Sequence, residues 1–147
     1  MRTLNRAPPR SGSWGNDVWG WDVKTGEHCE TLEGHYSSIL CLAMSANGQL
    51  LCSGSADNRI IVWDPVGCAL VHSLEGHAGS LRALALSGDG ARLYSGSNDK
   101  TIRSWDTKSG TQIECLKIHE GSVCSLVLSP DDKRLYSGSY DKTIRAW

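Results

Sequence analysis

Serine, histidine and aspartate recur together along this chain, and they are the side chains of a Ser-His-Asp hydrolase triad. A tryptophan accompanies each set at a fixed offset. The sets lie 42 residues apart and are His35, Ser53, Asp57 and Trp63; His77, Ser95, Asp99 and Trp105; and His119, Ser137, Asp141 and Trp147. Three equivalent triads in 147 residues would be unusual, and nothing supplies an oxyanion hole or a strained nucleophile turn. We therefore expect a structural role for these sets, and no catalytic residues.

Cysteine and histidine could instead bind a metal, because thiolate and imidazole are ligands that zinc prefers. The candidates are His28 with Cys29, and Cys115 with His119. Neither pair has the spacing of a zinc site, and none of the six cysteines forms a Cys-x-x-Cys pair. A Gly-rich phosphate loop that precedes a helix is also missing. We expect neither a metal nor a cofactor.

The composition limits the partners that the chain would bind. Lys and Arg total 15 against 16 Asp and Glu, so no basic excess favours nucleic acid or anionic lipid. No apolar run approaches the length of a membrane span, and the first residues lack the apolar stretch of a secretion signal. Most cysteines lie in apolar runs, which suits a reducing compartment. We expect a cytoplasmic or nuclear protein that binds neither nucleic acid nor membrane.

Short strands must position the repeated polar sets. Within one period of 42 residues, the turn signal Asn47-Gly48 follows the first apolar run, and no helical pattern of 3.6 residues occurs. The runs of strand length in that period are 39–44, 50–55, 59–63 and 69–74, and the first recurs at 81–86 and 123–128. The sequence therefore predicts a unit of four antiparallel strands. Such units bury their faces by stacking on their neighbours.

This repeat resembles the WD-repeat family. Gly-His pairs stand at 34–35 and 76–77, and Ile118-His119 replaces the third pair. Trp-Asp pairs stand at 21–22, 63–64 and 105–106. The resemblance covers about residues 11 to 147 and implies a β-propeller. It also implies that the His, Ser, Asp and Trp of each repeat form a buried hydrogen-bond network. Which serine of each Ser-Gly-Ser takes part, Ser53 or Ser55 for example, stays open.

The register of the repeats divides the chain unevenly. We predict a degenerate or disordered segment at 1–10, a partial blade at 11–34, WD repeats at 35–76 and 77–118, and a truncated repeat at 119–147. In the partial blade, Gly15 stands where later repeats have the network aspartate. Because a propeller needs about four to eight blades to close, we predict an all-β fold that is an incomplete propeller of four-stranded antiparallel blades, open as a monomer.

Two interpretations of the open ends stand beside each other. The chain is a fragment of a longer propeller, or two copies self-associate, with the segment near residues 29–32 of one copy completing the last blade of the other. We favour the fragment, because both ends of the chain fall inside blades.

The family resemblance implies a scaffold or adaptor that binds protein or peptide partners on one face. The expected contact positions are Ser38, Leu40, Ala56, Ser80, Arg82, Asn98, Ser122, Cys124 and Tyr140. Serine recurs at three of these positions, whereas Leu40, Arg82 and Cys124 differ between repeats, as do Ala56, Asn98 and Tyr140. Arg82 and Tyr140 are the strongest candidates, since Arg and Tyr are enriched at binding hot spots.

Other functions stay open at this point. The chain could be a non-functional or regulatory fragment of a longer WD-repeat protein. It could also be a substrate-receptor module of a ubiquitin ligase, in which Trp-Asp-x-Arg follows a blade. Here the matches are Trp21-Asp22-Val23-Lys24 and Trp105-Asp106-Thr107-Lys108, and lysine lacks the planar fork of arginine.

Overall fold

The structure, a computed structural model, describes residues 16–147. These residues form thirteen strands in four antiparallel sheets, each of which joins strands that are consecutive in sequence. The sheets are β1 (Val18–Trp21) and β2 (His28–Leu32); β3 (Ile39–Met44), β4 (Leu51–Ser55), β5 (Ile60–Asp64) and β6 (Ala69–Leu74); β7 (Leu81–Leu86), β8 (Arg92–Ser97), β9 (Ile102–Asp106) and β10 (Gln112–Leu116); and β11 (Val123–Leu128), β12 (Leu135–Ser139) and β13 (Ile144–Ala146). None of these residues lies in a helix that could span a membrane.

The predicted all-β fold of open antiparallel blades is confirmed. Strands β3 and β6 have the predicted bounds, whereas β4 and β5 each begin one residue later than predicted. Each of these strands begins later because the N–H of the residue before it bonds to a turn side chain. The N–H of Leu50 donates to Ser45 Oγ, and the N–H of Arg59 donates to Asp57 Oδ1. The predicted division into repeats stays a prediction, and residues 1–10 and Gly15 lie outside the described residues.

The turn between the first and second strands of each sheet needs a positive φ. Gly48 and Gly90 supply it with φ of 70° and 72°, and Asp132 adopts 55° at the same position of the last sheet. Glycine and aspartate tolerate this region. Residues with a positive φ therefore follow β3, β7 and β11 at equivalent points, and the first of them belongs to the predicted turn Asn47-Gly48.

The core lies between the sheets. Strand β5 is buried on both faces. Its side chains point alternately towards the first sheet and towards the third sheet. Ile61 packs with Val18 and Leu32 of the first sheet, while Ile60 packs with Leu81 of the third. The third and fourth sheets meet in the same way through a cluster that contains Ala83, Ile102, Val123, Leu126 and Leu135. Each four-stranded sheet is thus stabilised by a sheet on either side.

The outward faces at the two ends of this stack are apolar. Ile60 and Ile102 are 1% exposed, but the equivalent Ile144 of the last sheet is 81% exposed. On β3, Leu42 and Met44 are 53% and 55% exposed, although their counterparts on β7 pack into the core. Among residues 16–147 the first sheet consists of β1 and β2, and these two strands do not cover the inner strand β3.

Candidate functional site

A buried chain of hydrogen bonds joins four side chains in each repeat. In the second sheet the indole Nε1–H of Trp63 donates to Ser53 Oγ at 2.8 Å. Ser53 Oγ lies 2.8 Å from His35 Nε2, and His35 Nδ1 lies 2.8 Å from Asp57 Oδ2. An ionised carboxylate only accepts, so Nδ1 carries the proton and Nε2 accepts from the serine hydroxyl. This assignment satisfies every polar atom along the chain.

The same arrangement recurs in the third and fourth sheets. The Trp–Ser, Ser–His and His–Asp distances are 2.8, 2.7 and 2.8 Å for Trp105, Ser95, His77 and Asp99, and 3.0, 2.8 and 2.7 Å for Trp147, Ser137, His119 and Asp141. The structure therefore brings together all twelve residues singled out in the sequence. The network uses the first serine of each Ser-Gly-Ser. The second has another role: Ser55 Oγ donates to the carbonyl of Ser37.

The network aspartates are held in the ionised form. Burial raises the pKa of Asp57, but hydrogen bonds from the N–H groups of Tyr36 and Arg59 and from His35 outweigh it and leave the pKa below its usual value. Burial also raises the pKa of Asp99, but hydrogen bonds from His77 and Thr101 outweigh this effect and leave the pKa well below its usual value. Each aspartate thereby ties the loop before a sheet to the tight turn between its second and third strands.

The His, Ser and Asp of each repeat have the connectivity of a catalytic triad, but the serine is inaccessible. Ser53 and Ser95 are 0% exposed and Ser137 is 1% exposed. Their hydroxyls also accept the indole N–H. A nucleophile must reach the carbonyl that it attacks, and these three hydroxyls lie beneath the surface. The geometry supports the structural role predicted from the sequence.

Three of the predicted contact residues are the extra residues of β-bulges. The pairing of the first two strands skips Leu40 in the second sheet, Arg82 in the third and Cys124 in the fourth. A bulge leaves one residue unpaired and redirects its side chain. Leu40 and Arg82 are exposed and Cys124 is half-buried. The backbone therefore presents a different side chain at the same place in each repeat.

The remaining predicted contact residues lie beside these bulges. The N–H groups of Ala56, Asn98 and Tyr140 donate to the carbonyls of Ser38, Ser80 and Ser122 at 2.9, 2.9 and 3.0 Å. Tyr140 is 73% exposed, and the other five are half-buried. Arg82 Nε donates to Asn98 Oδ1 at 2.9 Å, so a strand residue and a turn residue form one polar unit. We call the nine predicted residues the bulge face.

The sequence did not reveal a cation–π pair formed by Arg59 and Tyr36. The guanidinium of Arg59 lies 4.2 Å from the centroid of the Tyr36 ring, which is a cation–π distance. Arg59 also lies 3.7 Å from Glu75, and Tyr36 is 78% exposed. The sequence did mark Tyr36 as a variable position, because the residue after the network histidine differs in every repeat.

The described residues contain no group of three or more His, Cys, Asp and Glu that could hold a metal. His28 instead lies 5.4 Å from the rings of both Trp19 and Trp21, and His119 belongs to the network. Burial raises the pKa of the Cys41 and Cys52 thiols to about 12, which makes them poor nucleophiles.

Comparison with known proteins agrees with this geometry. The WD domain, G-beta repeat family matches residues 26–64, 68–106 and 110–147. An uncharacterized WD repeat-containing protein of Schizosaccharomyces pombe is 44% identical over 45 residues, 31% of this chain and 12% of that protein. Protein ROOT INITIATION DEFECTIVE 3 of Arabidopsis thaliana is 41% identical over 44 residues, 30% of this chain and 10% of that protein. The matched segments thus span about a tenth of each relative's length.

Proposed function

Since the chain belongs to the WD-repeat family, we propose that it is a scaffold that binds protein or peptide partners on the bulge face. WD repeats generally mediate protein–protein interactions, and the family is typically non-enzymatic. The observation that carries the proposal is the recurrence of a bulge at one register position of three sheets, with a different residue at each bulge.

Rigidity supports the proposal. The aspartate of each network accepts hydrogen bonds from the loop before the sheet and from the tight turn, so both segments that border the bulge are fixed before a partner arrives. Ordering a loop on binding costs about 0.5–1.5 kcal/mol for each immobilised side chain. A face that is already ordered avoids much of that penalty.

The exposed side chains indicate the chemistry of the partner. Arg82 is oriented by Asn98, and Arg59 by Tyr36 and Glu75. Tyr36 and Tyr140 add two exposed aromatic rings. Tryptophan, tyrosine and arginine are enriched among the hot-spot residues of protein interfaces. We propose a peptide segment that offers apolar side chains to the tyrosines and hydrogen-bond acceptors to Arg82.

Two charge-reversed variants of the whole chain test this proposal. Arg82→Glu changes the bulge face, whereas Lys108→Glu makes the same change in the exposed turn between β9 and β10. Proteins captured on the immobilised chain would be identified, and the affinity of each for the two variants measured by titration. We expect Arg82→Glu to weaken a genuine partner at least tenfold, about 1.4 kcal/mol, and Lys108→Glu to leave it unchanged. Equal affinities for both variants would overturn the assignment to this face.

The cellular location stays a prediction. We propose the cytoplasm or nucleus, because most cysteines lie in apolar runs, which suits a reducing compartment. We also propose that the chain binds neither nucleic acid nor membrane, because its charge is balanced. Imaging of the tagged chain tests the location. A band shift with duplex DNA at low salt would contradict the proposal that the chain does not bind nucleic acid.

A further inference from the structure

We propose a second binding site in the groove between the second and third sheets, at the ends of the strands opposite the bulge face. It takes a peptide segment in which an aliphatic side chain adjoins a basic one. Both sheets that form the groove have all four strands. The site shares no residue with the bulge face.

The groove is an open depression between the turns of two neighbouring sheets. It has a volume of about 680 Å³, within the range of about 300–1,000 Å³ that ligand sites occupy. Asp64, Val66 and Val71 of the second sheet line one wall, and Asp89 and Lys108 of the third line the other. The groove therefore combines apolar and charged side chains.

Hydrogen bonds within the turns hold both walls in place. Asp64 Oδ1 accepts the N–H groups of Val66 and Gly67 at 2.9 and 3.0 Å. On the other wall Thr107 is buried, and its Oγ1–H donates to the carbonyl of Gly90 at 2.7 Å, which joins the two turns of the third sheet. Because the walls are already ordered, a ligand avoids part of the entropic cost of binding.

A second row of β-bulges supplies an apolar side chain to the groove. The last strand of each of the first three sheets contains one residue that the pairing skips: Cys29 in β2, Val71 in β6 and Ile113 in β10. A bulge leaves this residue unpaired and redirects its side chain. Val71 and Ile113 are 41% and 42% exposed, but of the three only Val71 lines the groove. With the exposed Val66 it forms an aliphatic surface for a ligand.

The charge of the groove favours a basic ligand. Two carboxylates, Asp64 and Asp89, line it with one cation, Lys108. The pKa of Asp89 lies below its usual value because the Ser87 hydroxyl and the Ala91 N–H donate hydrogen bonds to it. Neither carboxylate forms an ion pair within the part of the chain that the structure describes. A lysine or arginine of the ligand would complement this negative charge.

The negative charge continues beyond Asp89. The same residue lines an adjoining groove of about 300 Å³ between the third and fourth sheets. Asp106 and Asp132 also line that groove, together with one cation, Arg92. A segment that places its aliphatic side chain at Val71 and continues past Asp89 therefore meets further carboxylates, which favours a second basic residue in the ligand.

Amide side chains favour a peptide as the occupant. Asn47 and Gln49 line the groove and are exposed. Asn47 Oδ1 already accepts hydrogen bonds from the Ser45 hydroxyl and from the N–H of Gln49, so the amide of Asn47 has N–H donors left for a ligand. The backbone carbonyls of a peptide are suitable acceptors. The amides would thus bind the backbone, while Val71 and Asp89 select its side chains.

Fluorescence anisotropy with labelled peptides and the complete chain tests the proposal. The probe is a short peptide in which leucine and lysine alternate. One comparison peptide has glutamate in place of lysine, and another has serine in place of leucine. We expect saturable binding of the leucine–lysine peptide at low salt and much weaker binding of both others. Failure of this peptide to bind, or equal binding of either comparison peptide, would overturn the proposal.

Charge variants locate the peptide in the groove. Asp89→Asn should weaken the leucine–lysine peptide about threefold, the effect of one exposed ion pair, and Lys108→Glu should tighten it by a similar factor. Lys100→Glu makes the same change in charge before β9 rather than after it and should have no effect. A variant that fails to fold cannot bind more tightly, so Lys108→Glu remains decisive. Equal effects of Lys108→Glu and Lys100→Glu would show that net charge attracts the peptide and would exclude the groove.

A matched pair of bulge variants tests the aliphatic contact. Val71→Ser should weaken the peptide about fivefold, because a partly exposed valine loses the apolar surface that the ligand covers. Ile113→Ser changes the equivalent bulge of the third sheet, which has the same exposure and lies outside the groove. We expect this control to bind the peptide as the parent chain does. Equal losses in the two variants would contradict a contact at Val71.

Discussion

Trp105 donates its indole N–H to Ser95 Oγ at 2.8 Å, and both residues are almost completely buried. The same oxygen lies 2.7 Å from Nε2 of His77. One hydroxyl therefore connects β8, β9 and the loop before β7. A buried hydrogen bond contributes about 1 kcal/mol net, but a buried group that loses its partner costs about 1–3 kcal/mol. Loss of this hydroxyl should therefore cost more than the hydrogen bonds contribute, because it leaves buried groups without a partner.

Ser95→Ala should destabilise the fold strongly, although the substitution removes only one hydroxyl group. The substitution leaves the Trp105 indole N–H and the His77 ring without their shared partner in a site that water does not reach. We expect a loss of about 2–4 kcal/mol, the sum of two such groups at the low to middle range. Urea unfolding followed by tryptophan fluorescence measures it, and a loss below about 0.5 kcal/mol would contradict the structural role of the network.

Ser104→Ala is the matched control. Ser104 is 4% exposed, in the strand that carries Trp105, but its Oγ is buried without a hydrogen-bond partner. Removal of this hydroxyl relieves a desolvation penalty and orphans nothing. We expect unchanged or slightly higher stability. Equal destabilisation by Ser95→Ala and Ser104→Ala would mean that loss of buried volume, rather than loss of hydrogen bonds, explains both.

Stability should decline as the pH falls below about 4. The pKa values of Asp57 and Asp99 are lower in the folded chain than the ordinary value near 3.9. The contribution of these groups is therefore complete above that value and is lost as the pH falls towards the folded pKa. Unfolding midpoints in urea at about pH 5 and about pH 3 measure the loss. Asp99→Asn should be less stable at the higher pH and should lose less on acidification. A variant that loses as much as the parent chain would exclude Asp99 as a contributor.

The sequence predicted the strands because apolar runs and turn residues recur in register, as the observed bounds of β3, β6, β7 and β11 illustrate. The network residues were visible because they do not vary between repeats. The bulges at Leu40, Arg82 and Cys124 were not, because a bulge is a property of pairing between two strands and leaves no local pattern in one of them. The stacking of Arg59 on Tyr36 was missed for a similar reason, since it joins a turn to a loop.

Cys68→Gly should stabilise the chain. Cys68 has a φ of 51°, and the equivalent residues Gly26 and Gly110 have 71° and 72°. A side chain in this left-handed region costs about 1–2 kcal/mol, which exceeds the added entropy of the unfolded glycine. We expect a gain of about 0.5–1 kcal/mol in the free energy of unfolding, reduced by the loss of the thiol contact with Glu30. Cys115→Gly, at a paired position of β10, should instead lose about 0.5–1 kcal/mol. The same sign for both variants would rule out backbone conformation as the cause.

Thiol reactivity should separate the cysteines by burial. Cys29 and Cys68 are exposed, whereas Cys52 is completely buried and burial raises the pKa of its thiol to about 12. Because the thiolate is the reactive form, iodoacetamide should modify Cys29 and Cys68 about two orders of magnitude faster than Cys52 in the folded chain, since burial both blocks access to the Cys52 thiol and keeps it protonated. Mass spectrometry of peptides after timed labelling measures each rate, and labelling in urea should equalise them. Since Cys52 lies in the core between the second and third sheets, rapid native labelling of this residue would show that these two sheets separate readily, which the stacked arrangement does not allow.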